Sequence, residues 1–109
     1  MLFRSGQKHG VVYPYGINLK PNTNYKICFK ARGTAKDGTF KFYLIDNKAS
    51  KKNQGGLENI KLKEHWKVFS CYIKTTSDIS AKTPYLGFFH YGKDDGYVDV
   101  EEVFVFEEK

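Results

Sequence analysis

His9, His65 and His90 are scattered along the chain, and no two of them have the i, i+4 spacing with which a helix holds zinc. There is no Gly-x-Ser-x-Gly elbow, no phosphate-cradling glycine loop and no Cys close to a His in sequence. These absences point to a non-catalytic protein. Asp94-Asp95-Gly96 offers the oxygen ligands that calcium takes, but Asp-Gly is more often simply the chemistry of a hairpin turn. Glu101 and Glu102 are neighbours, and adjacent strand residues point to opposite faces, so the pair cannot jointly flank one bond. One of them must face inward or sit at a bulge, with a Lys, an Arg or a bound cation as its partner. Cys28 and Cys71 fall on opposite faces of their strands, which reads as two free thiols.

Aromatic side chains are the remaining candidates for binding. Phe29, Phe40, Phe42, Phe69, Phe104 and Phe106 fall on the core parity of their strands and read as packing. Tyr43 and Tyr72 take the opposite parity, among Lys41, Ser70 and Lys74. An exposed Tyr offers a flat apolar face with a polar tip, which suits stacking on a sugar ring and bonding its hydroxyls. The expected ligand-binding set is Tyr43, Tyr72, His90 and Tyr91, with Tyr43 and Tyr72 lining one groove.

The elements that must position these groups are strands. Tyr25–Ala31 alternates strictly, with Tyr25, Ile27, Phe29 and Ala31 on one face. Thr39–Asp46 repeats the pattern with Phe40, Phe42 and Leu44 inward. Asp37-Gly38 between them predicts a tight hairpin joining two paired strands. Upstream, Leu2–Arg4 and Val11–Leu19 read as strands, the second at an edge or bulged because of Pro14. Downstream, Asp46–Gly56 reads as a mobile Lys-rich loop and Leu57–Lys63 as a short strand. A strand from Trp66 to Thr75 follows, with Trp66 expected to be largely buried beside Phe69. Tyr85–His90 is apolar on both faces and therefore central, and Tyr97–Phe106 closes the chain. About eight short strands at this spacing predict a single all-β antiparallel sandwich over residues 1–109.

Composition narrows the class further. With 17% aromatic residues the 109-residue chain has too much apolar bulk to stay unfolded. The start lacks the apolar run of a secretion signal, and no stretch is long enough to span a membrane. The net charge of +6 is carried mostly by Lys, not by the Arg that reads nucleic-acid edges, so nucleic acid is an unfavoured partner. The charge is also uneven, since seven of the twelve acids lie in residues 94–109. That predicts cross-strand pairing within the fold, or contact between copies of the chain.

The run Leu19-Lys20-Pro21-Asn22-Thr23-Asn24-Tyr25, continued by Phe29-x-Ala31-Arg32-Gly33, resembles a stretch shared by carbohydrate-binding modules of families four, nine and twenty-two. Trp66-Lys67-Val68-Phe69-Ser70 and Val98-Asp99-Val100-Glu101-Glu102-Val103 are similar to two later strands of the same group. The resemblance implies a galactose-binding-like jelly roll that binds a glycan or polysaccharide without catalysis. It also implies a structural calcium, although Glu101 stands where the family has Asp, and the family's first strands are missing here. An extracellular or virion-associated setting would suit such a module. The alternative is a structural β-sandwich of a phage tail or capsid, acting through protein–protein contacts.

Overall fold

The computed structural model describes residues 3–5, 10–15, 18–80, 83–91 and 96–108. Among these, eight strands appear in chain order: β1 (Phe3–Ser5), β2 (Gly10–Tyr15), β3 (Asn24–Gly33), β4 (Phe40–Ile45), β5 (Asn53–Leu57), β6 (Lys67–Lys74), β7 (Tyr85–His90) and β8 (Val98–Glu107). They form two four-stranded antiparallel sheets, β1-β8-β3-β6 and β2-β7-β4-β5. No helix is present among the described residues. The all-β sandwich expected from alternation is therefore the observed architecture.

Alternation explains the core. The inward residues of β3 and β4 meet across the sandwich, where Phe29, Phe40, Phe42 and Phe88 are almost fully buried. Ring centroids lie 5.0 Å apart for Phe42–Phe88, 5.1 Å for Phe29–Phe88 and 5.3 Å for Phe29–Phe42. Burying each such ring is worth about 2–3 kcal/mol, so this quartet dominates the contact between the sheets. Strand β7 lies inside its sheet, as its two apolar faces require. Strand β2 is an edge, and its register with β7 shifts between Tyr13 and Tyr15, around the proline that cannot donate to the ladder.

Four expectations need correction. Strands β3 and β4 are not a hairpin: β3 pairs with β6 and β8, and β4 pairs with β5 and β7. Gly38 does take a left-handed turn backbone (φ 80°), but the connection carries the chain from one sheet to the other. Ala35, buried within it, helps to close the end of the core. The supposed loop before residue 57 contains β5, whereas 58–63 is irregular. Glycine there serves close approach instead of a turn, since a Cβ on Gly56 would collide with the Phe42 carbonyl.

Phe104 and Phe106 are not core residues. Glu102 has a positive φ of 54°, and the β3–β8 register shifts so that Phe29 faces two residues of β8. This bulge reverses the alternation of the strand. Val98 and Val100 point inward before it, Val103 and Val105 pack on the core after it, and Phe104 and Phe106 are left 52% and 51% exposed. Trp66 is only partly buried, and the Arg32 guanidinium lies 4.4 Å above its ring. Phe69 stacks on Phe29 instead, at 5.6 Å.

Candidate functional site

The outer face of the β2-β7-β4-β5 sheet carries a row of aromatic rings. Tyr43 leaves β4 on the side opposite its buried neighbours Phe42 and Leu44, and Phe89 leaves β7 opposite Phe88 and His90. Their centroids are 6.1 Å apart. Tyr91 follows, stacked on Phe89 at 5.8 Å and 22° between ring planes. Its position just past β7 is pinned by its own N–H, which donates to the Thr39 carbonyl at 2.7 Å.

A missing side chain lets the row lie flat. Tyr43 pairs with Gly87 across the ladder, and a Cβ on Gly87 would overlap the Phe89 ring. Phe89 can therefore fold down over Gly87 beside Tyr43. Neither Phe89 nor Gly87 stands out in the sequence as a binding residue. A glycine within an otherwise apolar, two-faced strand is the sign that another group approaches the backbone closely there.

Beside the rings is a cleft of about 280 Å³ lined by Gly38, Thr39, Lys41, Tyr43 and Tyr91. A smaller hollow of about 150 Å³ continues past Gly38 to Asp37, Asn59 and Lys61. The Lys41 ammonium lies 5.8 Å from the centre of the Tyr91 ring. Burial, together with the nearby Glu58 carboxylate, raises the Tyr43 phenol above the ordinary tyrosine value. That hydroxyl keeps its proton in the neutral range, as an ordinary tyrosine does, donates it to Glu58 and can accept from a ligand. Flat rings bordered by both donors and acceptors suit a ligand with apolar faces and a rim of hydroxyls.

The four residues expected to bind ligand divide three ways. Tyr43 and Tyr91 share this site. Tyr72 lies on β6, in the other sheet, so Tyr43 and Tyr72 occupy opposite outer faces of the sandwich and line no common groove. His90 is 2% exposed and takes the core parity of β7, because inward positions run Leu86, Phe88, His90. Its polarity suggested a surface that its register denies it.

Two buried carboxylates among the described residues are already engaged by donors. Buried Asp46 accepts hydrogen bonds from the Lys48 and Ser80 amides and the Thr83 hydroxyl. Buried Asp99 is held by Arg32, with Nε 2.9 Å from Oδ2. These oxygens face donors, which a cation would have to displace. No group of three or more His, Cys, Asp or Glu able to hold a metal ion occurs among the described residues, and Asp94 and Asp95 lie outside them. Cys28 and Cys71 are free thiols on opposite faces, and burial pushes the Cys71 thiol up to about 11.

No family model matches the chain, and no curated protein matches it in sequence. Solved structures do. One, described as a family 4 carbohydrate-binding module, superposes with a TM-score of 0.74 at 14% identity, covering 98% of this chain and 82% of the other. The N-terminal cellulose-binding domain of the Cellulomonas fimi β-1,4-glucanase C gives a TM-score of 0.61 at 13% identity, covering 99% and 89%. A cyclase from Fischerella also matches, with a TM-score of 0.56 at 17% identity, covering 84% of this chain and 52% of that one. At such identities the likeness is one of fold. The chain has the antiparallel β-sandwich fold of carbohydrate-binding modules.

Proposed function

We propose that this protein binds a glycan or polysaccharide, without catalysis, along the outer face of the β2-β7-β4-β5 sheet. Tyr43, Phe89 and Tyr91 stack on sugar rings, and the Tyr43 hydroxyl, Lys41 and Asn59 bond the hydroxyls at their rim. The observation that carries this reading is the continuous aromatic row bordering an open, mixed-polarity cleft. Solved neighbours described as carbohydrate- or cellulose-binding support it. The cyclase among them means that fold alone does not decide against catalysis. The non-catalytic reading is supported by the neighbours described as binding modules or domains; among the described residues the cleft lining offers no Ser, Cys or His, and its one carboxylate is Asp37. The virion-associated alternative has no observation of the fold in its favour.

Affinity electrophoresis through gels containing soluble polysaccharides tests the proposal. The unmodified protein is retarded by at least one polysaccharide, and Tyr43→Ala or Tyr91→Ala weakens binding about three- to tenfold each, the worth of one aromatic stacking contact. Free migration on a broad panel, or equal retardation of both variants, contradicts it.

A further inference from the structure

Four of the five large apolar side chains that stand exposed among the described residues lie together, on the sheet opposite the cleft. They are Val68 (66% exposed) and Tyr72 (69%) on β6, and Phe104 and Phe106 on β8, with β3 between the two strands. The ladder sets them in rows across the face. Phe106 pairs with Lys26 and Lys26 with Tyr72, while Phe104 pairs with Cys28 and Cys28 with Ser70. One row further on, the Glu108 amide donates to the Asn24 carbonyl at 2.8 Å, and Asn24 pairs with Lys74. The Phe106 row thus has a ring at each end, the Glu108 row an acid on β8 and a base on β6, and the Phe104 row a ring on β8 and Ser70 on β6.

Such a face is complementary to itself. A two-fold axis lying in the face along β3 exchanges β8 with β6. It sets Phe106 over Tyr72 of a second copy, Tyr72 over that copy's Phe106, and Glu108 over its Lys74. The two lysines closest to the axis have partners on the face itself, since the Lys26 ammonium lies 5.7 Å from the Tyr72 ring centre and Lys30 pairs with Glu102 at 2.9 Å. Isologous contacts of this kind close at two copies. Two sheets packed face to face with nearly aligned strands are also the ordinary way for apolar sheet faces to be covered.

We infer that the occupant of the β1-β8-β3-β6 outer face is a second copy of this chain, in a back-to-back dimer held by the Phe104, Phe106 and Tyr72 rings and by Glu108–Lys74 pairs between copies. The patch is three strands wide and seven residues long, roughly 15 by 23 Å, which is smaller than a standard interface. The dimer is therefore weak, with a dissociation constant of about 10 to 100 μM. Its two clefts face away from each other, so a dimer that binds glycan holds two separate chains.

Sedimentation velocity of the full chain from about 5 μM to 1 mM, a range that brackets this constant, tests the inference. A reversible monomer–dimer equilibrium is expected. Phe106→Ser lowers the association constant at least about tenfold, as for a ring at the centre of an interface, while the monomer stays folded with only a small drop in melting temperature, because half of the ring is already exposed. Lys74→Glu and Glu108→Lys each weaken the dimer, and the double exchange K74E/E108K restores it. Tyr91→Ala leaves association intact. A monomer at every concentration means that this face is covered by something else and overturns the proposal. So does a dimer that survives Phe106→Ser, or one that Tyr91→Ala disrupts.

Discussion

Gly87 sets the shape of the aromatic row although it has no side chain to contribute to binding. Adding one methyl group there forces Phe89 off the sheet, because its ring occupies the space the Cβ would need. Gly87→Ala should therefore reduce polysaccharide retention several-fold. The accompanying loss of stability should be about 1–3 kcal/mol, as for other overpacked sites, and thermal melts beside affinity gels would separate the two effects. Arg32 makes a second residue-scale case. It pairs with buried Asp99 while covering Trp66, so Arg32→Ala leaves a buried carboxylate without that partner and uncovers the indole. Because Arg32 is itself one-third exposed, solvent screens the pair, and the expected cost is about 1–3 kcal/mol, below that of a fully buried pair. Trp66 emission should shift to the red in the same variant. An unshifted spectrum and an unchanged melt would show that the guanidinium neither shields the ring nor supports Asp99.

Strands show how much alternation can reveal and where it stops. Phe40, Phe42 and Leu44, and likewise Ile27 and Phe29, lie on the core side where period-two patterning puts them. Pairing is another matter, because an Asp-Gly turn has the same composition whether the chain folds back in one sheet or crosses to the other. The misplacement of Phe104 and Phe106 has a single cause, the bulge at Glu102, which a pattern of apolar residues cannot announce. The adjacent Glu101-Glu102 pair did carry a hint, since strict alternation would have pointed one of them at the core. At the site, Tyr43 was legible from parity and Tyr91 from its place at a strand end. Phe89 was hidden by the apolar character of both faces of β7. Two loops also depend on carboxylates: Asp46 binds the Lys48 and Ser80 amides and the Thr83 hydroxyl, and Asp78 binds Ser50 and Thr76. Burial alone would push Asp46 up, but these hydrogen bonds outweigh it and hold its carboxyl below the usual value. Bonds from Ser50 and Thr76 bring Asp78 down to about 2. Groups depressed in this way stabilise the fold above their unfolded value near pH 4, and that contribution is lost as pH falls toward 2. Unfolding midpoints should therefore drop between about pH 4 and pH 2, and Asp78→Asn should flatten part of the drop. An acid profile identical to that of the unmodified protein would show that Asp78 does not tie the two loops together.

The charge asymmetry is resolved in part within the molecule, where three of the acids of residues 94–109 are paired among the described residues. The acids of β8 meet the bases of β3 and its approach: Arg32 with Asp99, Lys30 with Glu102 at 2.9 Å, and Lys20 with Glu107 at 3.1 Å. The last two pairs are exposed, so raising salt from 0.05 to 0.5 M, roughly a threefold contraction of the screening length, should change monomer stability by less than about 1 kcal/mol. A larger change in denaturant midpoint would mean that charge does more to hold the sandwich than its aromatic core. That core separates two outer faces of different character, one with a recessed cleft and one with exposed rings bounded by opposite charges. The measurement that tests the division most directly is an amide-resolved NMR titration with a soluble polysaccharide that retards the protein. Shifts concentrated at Lys41, Tyr43, Gly87, Phe89 and Tyr91 are the expected result, with those at Tyr72, Phe104 and Phe106 unmoved at low protein concentration. Perturbations centred on Tyr72, Phe104 and Phe106, with the cleft silent, would contradict the account.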